Sequence, residues 1–253
     1  MEEPAFAYQS AKPSGKLSDF VDSFWMLSNP LQQDKALVVL PDGRVDLFFS
    51  YSTSEDFHVM VSGIETRANH AQFTAQTHIF AVSFKLPAIE YLFPNGIADL
   101  LDDVSLLPEN AFGISKTDLR DFKHFQNKIQ GKLLAYFDAS VLDPRKKRLF
   151  EYIYEKQGDC TVKALSAHCA WSARQINRYF NAQFGLSPKA YCNILRFRAS
   201  FKQIKEGKFF LETAFADQSH FIREIKKYAG ASPKKLNKNT NDRFIQFSTL
   251  SEK

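Results

Sequence analysis

The chain of 253 residues has three cysteines, Cys160, Cys169 and Cys192, and none of them lies in residues 1–143. An odd number without paired spacing argues against a disulfide framework and makes a reducing, cytoplasmic setting the expectation. Cys160, His168 and Cys169 are near one another in sequence, but their spacing fits no zinc signature, so no metal site is expected. Cys169 falls on the apolar edge of its predicted helix and is expected as a packed thiol. Gly-rich phosphate loops, Gly-x-Ser-x-Gly elbows and His-Glu-x-x-His pairs are all missing. Neither catalytic residues nor a cofactor are expected, and the chain is read as a non-enzyme. No segment approaches the roughly 20 apolar residues of a membrane span, and the first turns of sequence hold no apolar run of signal-peptide length. Ten glycines and ten prolines are too few for a fibrous or low-complexity chain.

What is present is a foldable chain, 44% apolar, with 25 phenylalanines and a sharply divided charge. Residues 1–143 hold 11 Lys and Arg against 19 Asp and Glu, a net of −8, whereas residues 144–253 hold 22 against 9, a net of +13. Length and charge together predict two domains. Asp143-Pro144-Arg-Lys-Lys-Arg148 marks the junction, because it is polar, Pro-bearing and the place where the sign changes. The expected division is 1–143, 144–236 and a polar tail, 237–253, with a short apolar interruption at Phe244-Ile-Gln-Phe247. A basic C-terminal half points to an anionic partner for that half alone.

The basic half carries one pattern twice, 45 residues apart. The first copy reads Ser172-Ala-Arg-Gln-Ile-Asn-Arg178-Tyr-Phe180, then Gly185-Leu-Ser187-Pro188-Lys189. The second reads Asp217-Gln-Ser-His-Phe-Ile-Arg223-Glu-Ile225, then Gly230-Ala-Ser232-Pro233-Lys234. Ser172 and Asp217 are capping residues, and each opens a predicted amphipathic helix. In the first, Ile176 and Phe180 face a core while Arg174, Asn177, Arg178 and Asn181 share the other face. In the second, Phe221 and Ile225 are buried while Gln218, Ser219, Ile222, Arg223 and Lys226 face out. Arg can bond guanine bidentately and Asn can bond adenine, so these faces suit base edges as well as solvent. Thr161 caps a preceding helix with Val162, Leu165 and Cys169 inward. Between the copies, Ser187-Pro188 opens a helix predicted to run to about Glu206, a rod of roughly 28 Å. Such a rod would hold the two faces about one DNA turn apart.

The acidic half reads as short strands, Leu37–Leu40, Val45–Phe49, Phe57–Val61 and His78–Phe84, with Pro41-Asp42-Gly43 as a turn. The expected architecture is α+β: a small β-barrel or sandwich with flanking helices, then an all-α domain of two helix-turn-helix subdomains joined by a long helix. Phe48, Phe49, Tyr51, Phe80 and Phe84 could line a ligand space with Arg44 or His78 as anchors, or fill the core as small barrels usually do. Residues 116–137 are predicted helical, with Leu119, Phe122, Ile129, Leu133 and Phe137 on one stripe that either packs on its own barrel or forms a dimer seam.

Residues 149–236 resemble the DNA-binding domain of the AraC/XylS family of bacterial transcription regulators. The residues that carry the resemblance are the two runs above, with Tyr191 and the specific Phe215-Ala-Asp-Gln-Ser-His-Phe221 stretch. The resemblance implies seven helices and DNA contacts by Arg174, Asn177 and Arg178 in the first subdomain and Gln218, Ser219, His220 and Arg223 in the second. It implies double-stranded DNA as partner, contact with RNA polymerase and a nucleoid-associated, cytoplasmic location. The sequence departs from the family pattern in three ways. Ala170 and Ala214 stand where glycine is usual, about one helical turn is missing between Gly207 and Phe215, and Ile222 is apolar on the proposed DNA face. The acidic half is more weakly similar to an N-terminal domain of some such regulators through Phe24-Trp25, Leu40-Pro-Asp-Gly43 with Asp46, and Val82-Ser-Phe-Lys-Leu-Pro87. That similarity implies a small-molecule effector or a homodimer. Alkylation repair, found on N-terminal cysteines in some proteins with this domain, has no thiol to use in residues 1–143. The alternative is a protein-interaction or adaptor module that has lost specific DNA reading on the same scaffold.

Overall fold

Alternation of β-branched and aromatic residues with polar ones gives way to helical spacing along the chain, and the elements of the computed structural model follow that change. The structure describes residues 6–137, 142–209 and 217–249. In order these hold β1 (Ala7–Ala11), β2 (Val21–Ser28), β3 (Lys35–Val39), β4 (Val45–Tyr51), β5 (His58–Ser62), β6 (Asn69–Phe73), β7 (His78–Phe84), α1 (Ile89–Leu92), β8 (Val104–Leu107) and α2 (Phe122–Leu134). The helices α3 (Pro144–Glu155), α4 (Val162–Cys169), α5 (Ala173–Phe184), α6 (Pro188–Ala199), α7 (Phe201–Lys205), α8 (Gln218–Ala229), α9 (Pro233–Lys238) and α10 (Ile245–Thr249) follow. No helix among the described residues is long and apolar enough to cross a membrane. The α+β class holds, with strands first and helices after. The strand order is open: a six-stranded sheet β1-β2-β7-β4-β5-β8 and a separate pair β3-β6, so the strands form two sheets and not a closed barrel.

The chain divides into two compact units. The first comprises residues 1–35, 44–63 and 72–143. Its sheet is antiparallel throughout, and β4 and β7 face each other with Phe49 opposite Phe80 and Tyr51 opposite His78. Because side chains alternate, Val45, Leu47, Phe49, Phe80, Val82 and Phe84 share one face, and all six are buried. Helix α2 lies on this face. Phe125 meets the rings of Phe49 and Phe80 edge-on, with centroids 5.5 and 5.4 Å away. Ile129 and Leu133 are fully buried beside it, so the apolar stripe of α2 packs on its own sheet.

The opposite face carries a polar chain. Trp25 donates from Nε1 to Ser83 Oγ at 2.9 Å, and Ser83 donates to the Asp46 carboxylate. The ring of Phe48 stands edge-on to Trp25.

The helix expected over 116–137 begins later than the stripe suggests. Lys116–Arg120 form a separate 3-10 turn closed by a Ser115–Asp118 capping box, and Asp121 then caps α2 by accepting from the His124 N–H at 2.7 Å. Burial opposes ionisation of Asp118, but hydrogen bonds from Lys128 (2.7 Å), Ser115 and His124 outweigh it and hold the carboxyl well below the usual carboxylate range.

The second unit comprises residues 36–43, 64–71 and 144–253, so two N-terminal segments belong with the helices, and the β3-β6 pair falls mainly here. The strands that flank the Pro41–Gly43 turn therefore lie in different sheets. The reason is local. Tyr191 of α6 donates its buried hydroxyl to the Gly43 carbonyl at 3.0 Å. Gly43 has φ +76°, and a Cβ there would stand 2.9 Å from Leu195 and 3.1 Å from Tyr191, so only glycine allows this approach. Gln246 of α10 pairs with both backbone groups of Leu40, at 3.0 and 2.9 Å, and Val38 donates to the Arg243 carbonyl at 2.7 Å. The apolar interruption of the C-terminal segment points inward, with Phe244 and Phe247 buried.

Two stability predictions follow from these contacts. Asp118→Asn is expected to destabilise the first unit by about 1–2 kcal/mol at pH 7, the scale of losing a cap. Since the folded carboxyl is depressed, its contribution is complete above the unfolded value of about 4 and fades as pH falls below it. Denaturant melts of the two proteins should therefore converge in acid. Gly43→Ala should lower the unfolding midpoint of the second unit, whereas an unchanged melt would mean the turn is free to move off α6.

Candidate nucleic-acid interface

Both repeats fold as the sequence requires, residue for residue. Ser172 accepts from the Gln175 N–H at 3.3 Å while the Gln175 side chain accepts from the Ser172 N–H at 3.1 Å, a reciprocal cap that starts α5. Asp217 starts α8 by accepting from the His220 N–H at 2.7 Å. Gly185 and Gly230 end the two helices in the left-handed conformation, with φ of 75° and 62°. Ser187 and Ser232 then cap α6 and α9, each with proline in the first turn. The 45-residue offset is thus preserved in cap, length and stop.

The inner faces form two aromatic clusters bridged by α6. Around α5, Phe150 of α3 packs against Tyr179, Phe180 and Phe184, and Phe180 meets Tyr191. Around α8, Phe197 lies on Tyr228 with centroids 5.2 Å apart and on Phe201 at 4.9 Å, and Phe221 and Ile225 are fully buried. The connector is not one uninterrupted rod. It divides at Ser200, whose buried hydroxyl donates to the Phe197 carbonyl at 2.6 Å and competes with the helical ladder. Ser200 keeps right-handed helical torsions, φ −76° and ψ −14°, so α6 and α7 are two helices of one handed path.

The outward faces place the candidate residues in matched positions. Arg174 and Arg178 are exposed on α5, and Ser219 and Arg223 occupy the same two positions on α8, also exposed. One turn further, Asn181 and Lys226 are likewise exposed. The candidate set omitted these last two, although both lay on the faces read from the sequence, because a face assigns a side and not a reach. Gln218 is exposed in the first turn of α8.

Two candidates sit off this line. Asn177 is half-buried on the flank and spends its amide on its own helix, donating to the Ala173 carbonyl at 2.8 Å. His220 is half-buried on the opposite flank of α8. Ile222 is also half-buried, about 100° round the helix from Phe221, and so lies at the edge of the outward face and not at its centre.

Cations gather beside the first helix. Arg145 stands over the Trp171 ring at 5.4 Å and Lys146 over Tyr179 at 4.8 Å. Cys169 is fully buried, and burial pushes its thiol above the ordinary range.

Ala170 takes the strained role that its position implied. It ends α4 with φ 51° and ψ 43°, the left-handed turn that glycine adopts more cheaply. Ala214, and the shortened stretch between Gly207 and Phe215, lie outside the described residues over 210–216.

In the first unit, Phe49, Phe80 and Phe84 are buried against Phe125 and Phe137. Tyr51 and His78 are half-buried and stack at 5.0 Å, with Lys116 over the Tyr51 ring and Ser28 Oγ 2.8 Å from His78 Nδ1. Desolvation lowers the His78 pKa and raises that of Tyr51. Arg44 pairs with Asp22 at 2.6 Å.

Ala170→Gly is expected to stabilise the second unit by about 1 kcal/mol, the scale of the left-handed penalty for a residue with a Cβ. The midpoint of denaturant unfolding checks this. A loss of stability would show that the alanine methyl contributes packing that outweighs the strain.

Two family models match separate parts of the chain. Residues 165–239 match the model of a helix-turn-helix domain, and residues 9–105 match a domain of unknown function, DUF6597. No curated protein matches the chain. Among solved structures, it is similar to ToxT from Vibrio cholerae O395, at 12% identity and a TM-score of 0.45, covering 94% of this chain and 99% of that one. It is also similar to unsaturated fatty acid bound wild-type ToxT from V. cholerae strain SCE256, at 11% identity and a TM-score of 0.46, with 99% of each chain covered. The helix-turn-helix match takes in both copies of the doubled motif.

Proposed function

We propose that the chain is a sequence-specific DNA-binding regulator whose α5 and α8 enter successive major grooves of one duplex. The observation that carries this reading is the pair of matched outward faces, Arg174, Arg178 and Asn181 on α5 and Ser219, Arg223 and Lys226 on α8. Equal register on two helices that each carry an N-cap is what reading one repeating groove needs, and a merely solvated surface has no need of it. Arg174 and Arg178 have the reach and donor geometry for guanine or phosphate. Asn177 contributes only after its amide releases the Ala173 carbonyl. Gln218 and Arg223 carry the second contact, with His220 at its margin.

In this reading the N-terminal half supplies control, by binding a small molecule or by pairing two copies of the chain. The buried phenylalanines support a packed core, so effector recognition is assigned to the Tyr51–His78 end, where polar and aromatic groups meet solvent.

Arg178→Ala should weaken specific binding by roughly 1–3 kcal/mol and relax preference at one base position. Arg223→Ala should do the same one helical turn of DNA away. Wild-type binding to genomic fragments should fall with salt on a log–log slope of several charges. Footprints settle the alternatives: protection across two adjacent grooves supports the proposal, and protection of one groove restricts reading to α5. An absence of any sequence preference with the full chain favours an adaptor.

A further inference from the structure

The cysteines that the sequence separates by 32 positions meet in space. Cys160 immediately precedes the cap of α4, Cys192 lies in the middle of α6, and their sulfurs are 3.7 Å apart. We propose that Cys160 and Cys192 form a peroxide-modifiable dithiol site, with Cys160 as the attacking sulfur and Cys192 as the resolving one.

Three observations support this assignment. First, the backbone fixes the approach. Gly158 has φ +78° and lies so close to α6 that a Cβ on it would stand 2.1 Å from the Cys192 carbonyl oxygen, so the loop before α4 is held down on the connector. The sulfurs at 3.7 Å are within about 1.7 Å of the roughly 2.05 Å of a disulfide. Second, access differs. Cys160 is partly exposed, whereas Cys192 is 2% exposed, so an oxidant from solvent meets Cys160 first.

Third, the surroundings distinguish the two sulfurs. The hydrogen bond with Cys192 lowers the Cys160 pKa, with burial and Asp159 opposing and Arg196 assisting. Its partner Cys192 is pushed far up by the same hydrogen bond and by burial. Arg196 sits one turn beyond Cys192, and its guanidinium lies 4.0 Å from Asp159 and 2.6 Å from the Asn193 side-chain oxygen, which keeps a cation beside the pair. A reachable thiol whose ionisation is favoured, beside a buried thiol whose ionisation is opposed, is the arrangement that sulfenic chemistry and its resolution use.

The chemistry balances with a hydroperoxide as the oxidant. The Cys160 thiolate attacks the terminal peroxide oxygen, the O–O bond breaks, and hydroxide leaves with the proton shed by the thiol as water, giving a sulfenic acid. The Cys192 sulfur then attacks the Cys160 sulfur, the S–O bond breaks, and the hydroxyl leaves with the Cys192 proton as a second water. Two thiols and one hydrogen peroxide thus give one disulfide and two waters. A small dithiol reverses the step by exchange.

The test uses the full reduced chain, a few equivalents of hydrogen peroxide, alkylation and peptide mapping. The expected product is a Cys160–Cys192 linked peptide pair, two hydrogens lighter than the thiols and restored by dithiothreitol, with Cys169 still alkylating after unfolding. Cys192→Ala should accumulate a Cys160 sulfenic acid that dimedone traps, and Cys160→Ala should leave Cys192 a thiol. Free thiols at both positions after oxidation, linkage between chains only, or Cys160 passing to sulfinic acid while Cys192 is present would each overturn the proposal. Wild-type mapping decides alone if the variants do not fold. DNA is absent from the assay, so its result is independent of the reading proposed for α5 and α8.

Discussion

The arrangement of the helical unit depends on the burial of one hydroxyl. Tyr191 is fully buried on α6, and its oxygen lies between the Gly43 carbonyl at 3.0 Å and the Tyr154 hydroxyl at 3.2 Å. A buried phenol without partners would cost a few kcal/mol of desolvation, so the site holds only while the turn, α3 and α6 keep their positions together. Burial and the Tyr154 hydroxyl push its pKa well above the ordinary phenol, which keeps the proton in place to donate. The same helix turns Phe197 toward the second aromatic cluster. One short element therefore fixes a strand turn and both inner faces of the repeat.

That constraint explains why Leu40-Pro41-Asp42-Gly43 folds with residues found about 150 positions later. A tight turn with glycine at positive φ presents backbone and no side chain, and a helix surface of Tyr191, Ile194 and Leu195 can close on it. Gln246 then satisfies the two Leu40 groups that a strand end leaves open. Packing and hydrogen bonding agree on the same register, which is the condition for a single arrangement.

How much of this was legible in sequence depends on the range of the interaction. Caps, stops and inner faces of α5 and α8 are local, set by residues three or four apart, and Ser172, Gly185, Phe180 and their counterparts declared them. Strands β4, β5 and β7 were legible from alternation, whereas β6, with Asn69, His70 and Gln72, has too little apolar character to show. The partner of β3 was hidden because pairing is a contest between distant segments. Asn177 shows a different limit. Its position on the polar side was readable, but its amide prefers the Ala173 carbonyl, a competition that spacing alone does not reveal. The Cys160–Cys192 meeting was hidden by the same distance, since only the close approach of Gly158 to α6 creates it.

The function proposed for the repeat rests on these local facts. Reading a groove needs side chains that are anchored at the base and free at the tip. Arg174 and Arg178 rise from a helix whose inner side is locked by Ile176, Phe180 and Phe184, all fully buried. Their exposure leaves the guanidinium groups in solvent above a packed inner face. On α8, Ser219 replaces one of these long arms with a short hydroxyl, and Lys226 replaces an amide with a flexible cation. An ammonium is a point charge that suits phosphate and discriminates poorly between bases. On the proposed reading the two outward faces therefore differ in chemistry: α5 presents two guanidinium groups and an amide, and α8 a hydroxyl, a guanidinium and an ammonium.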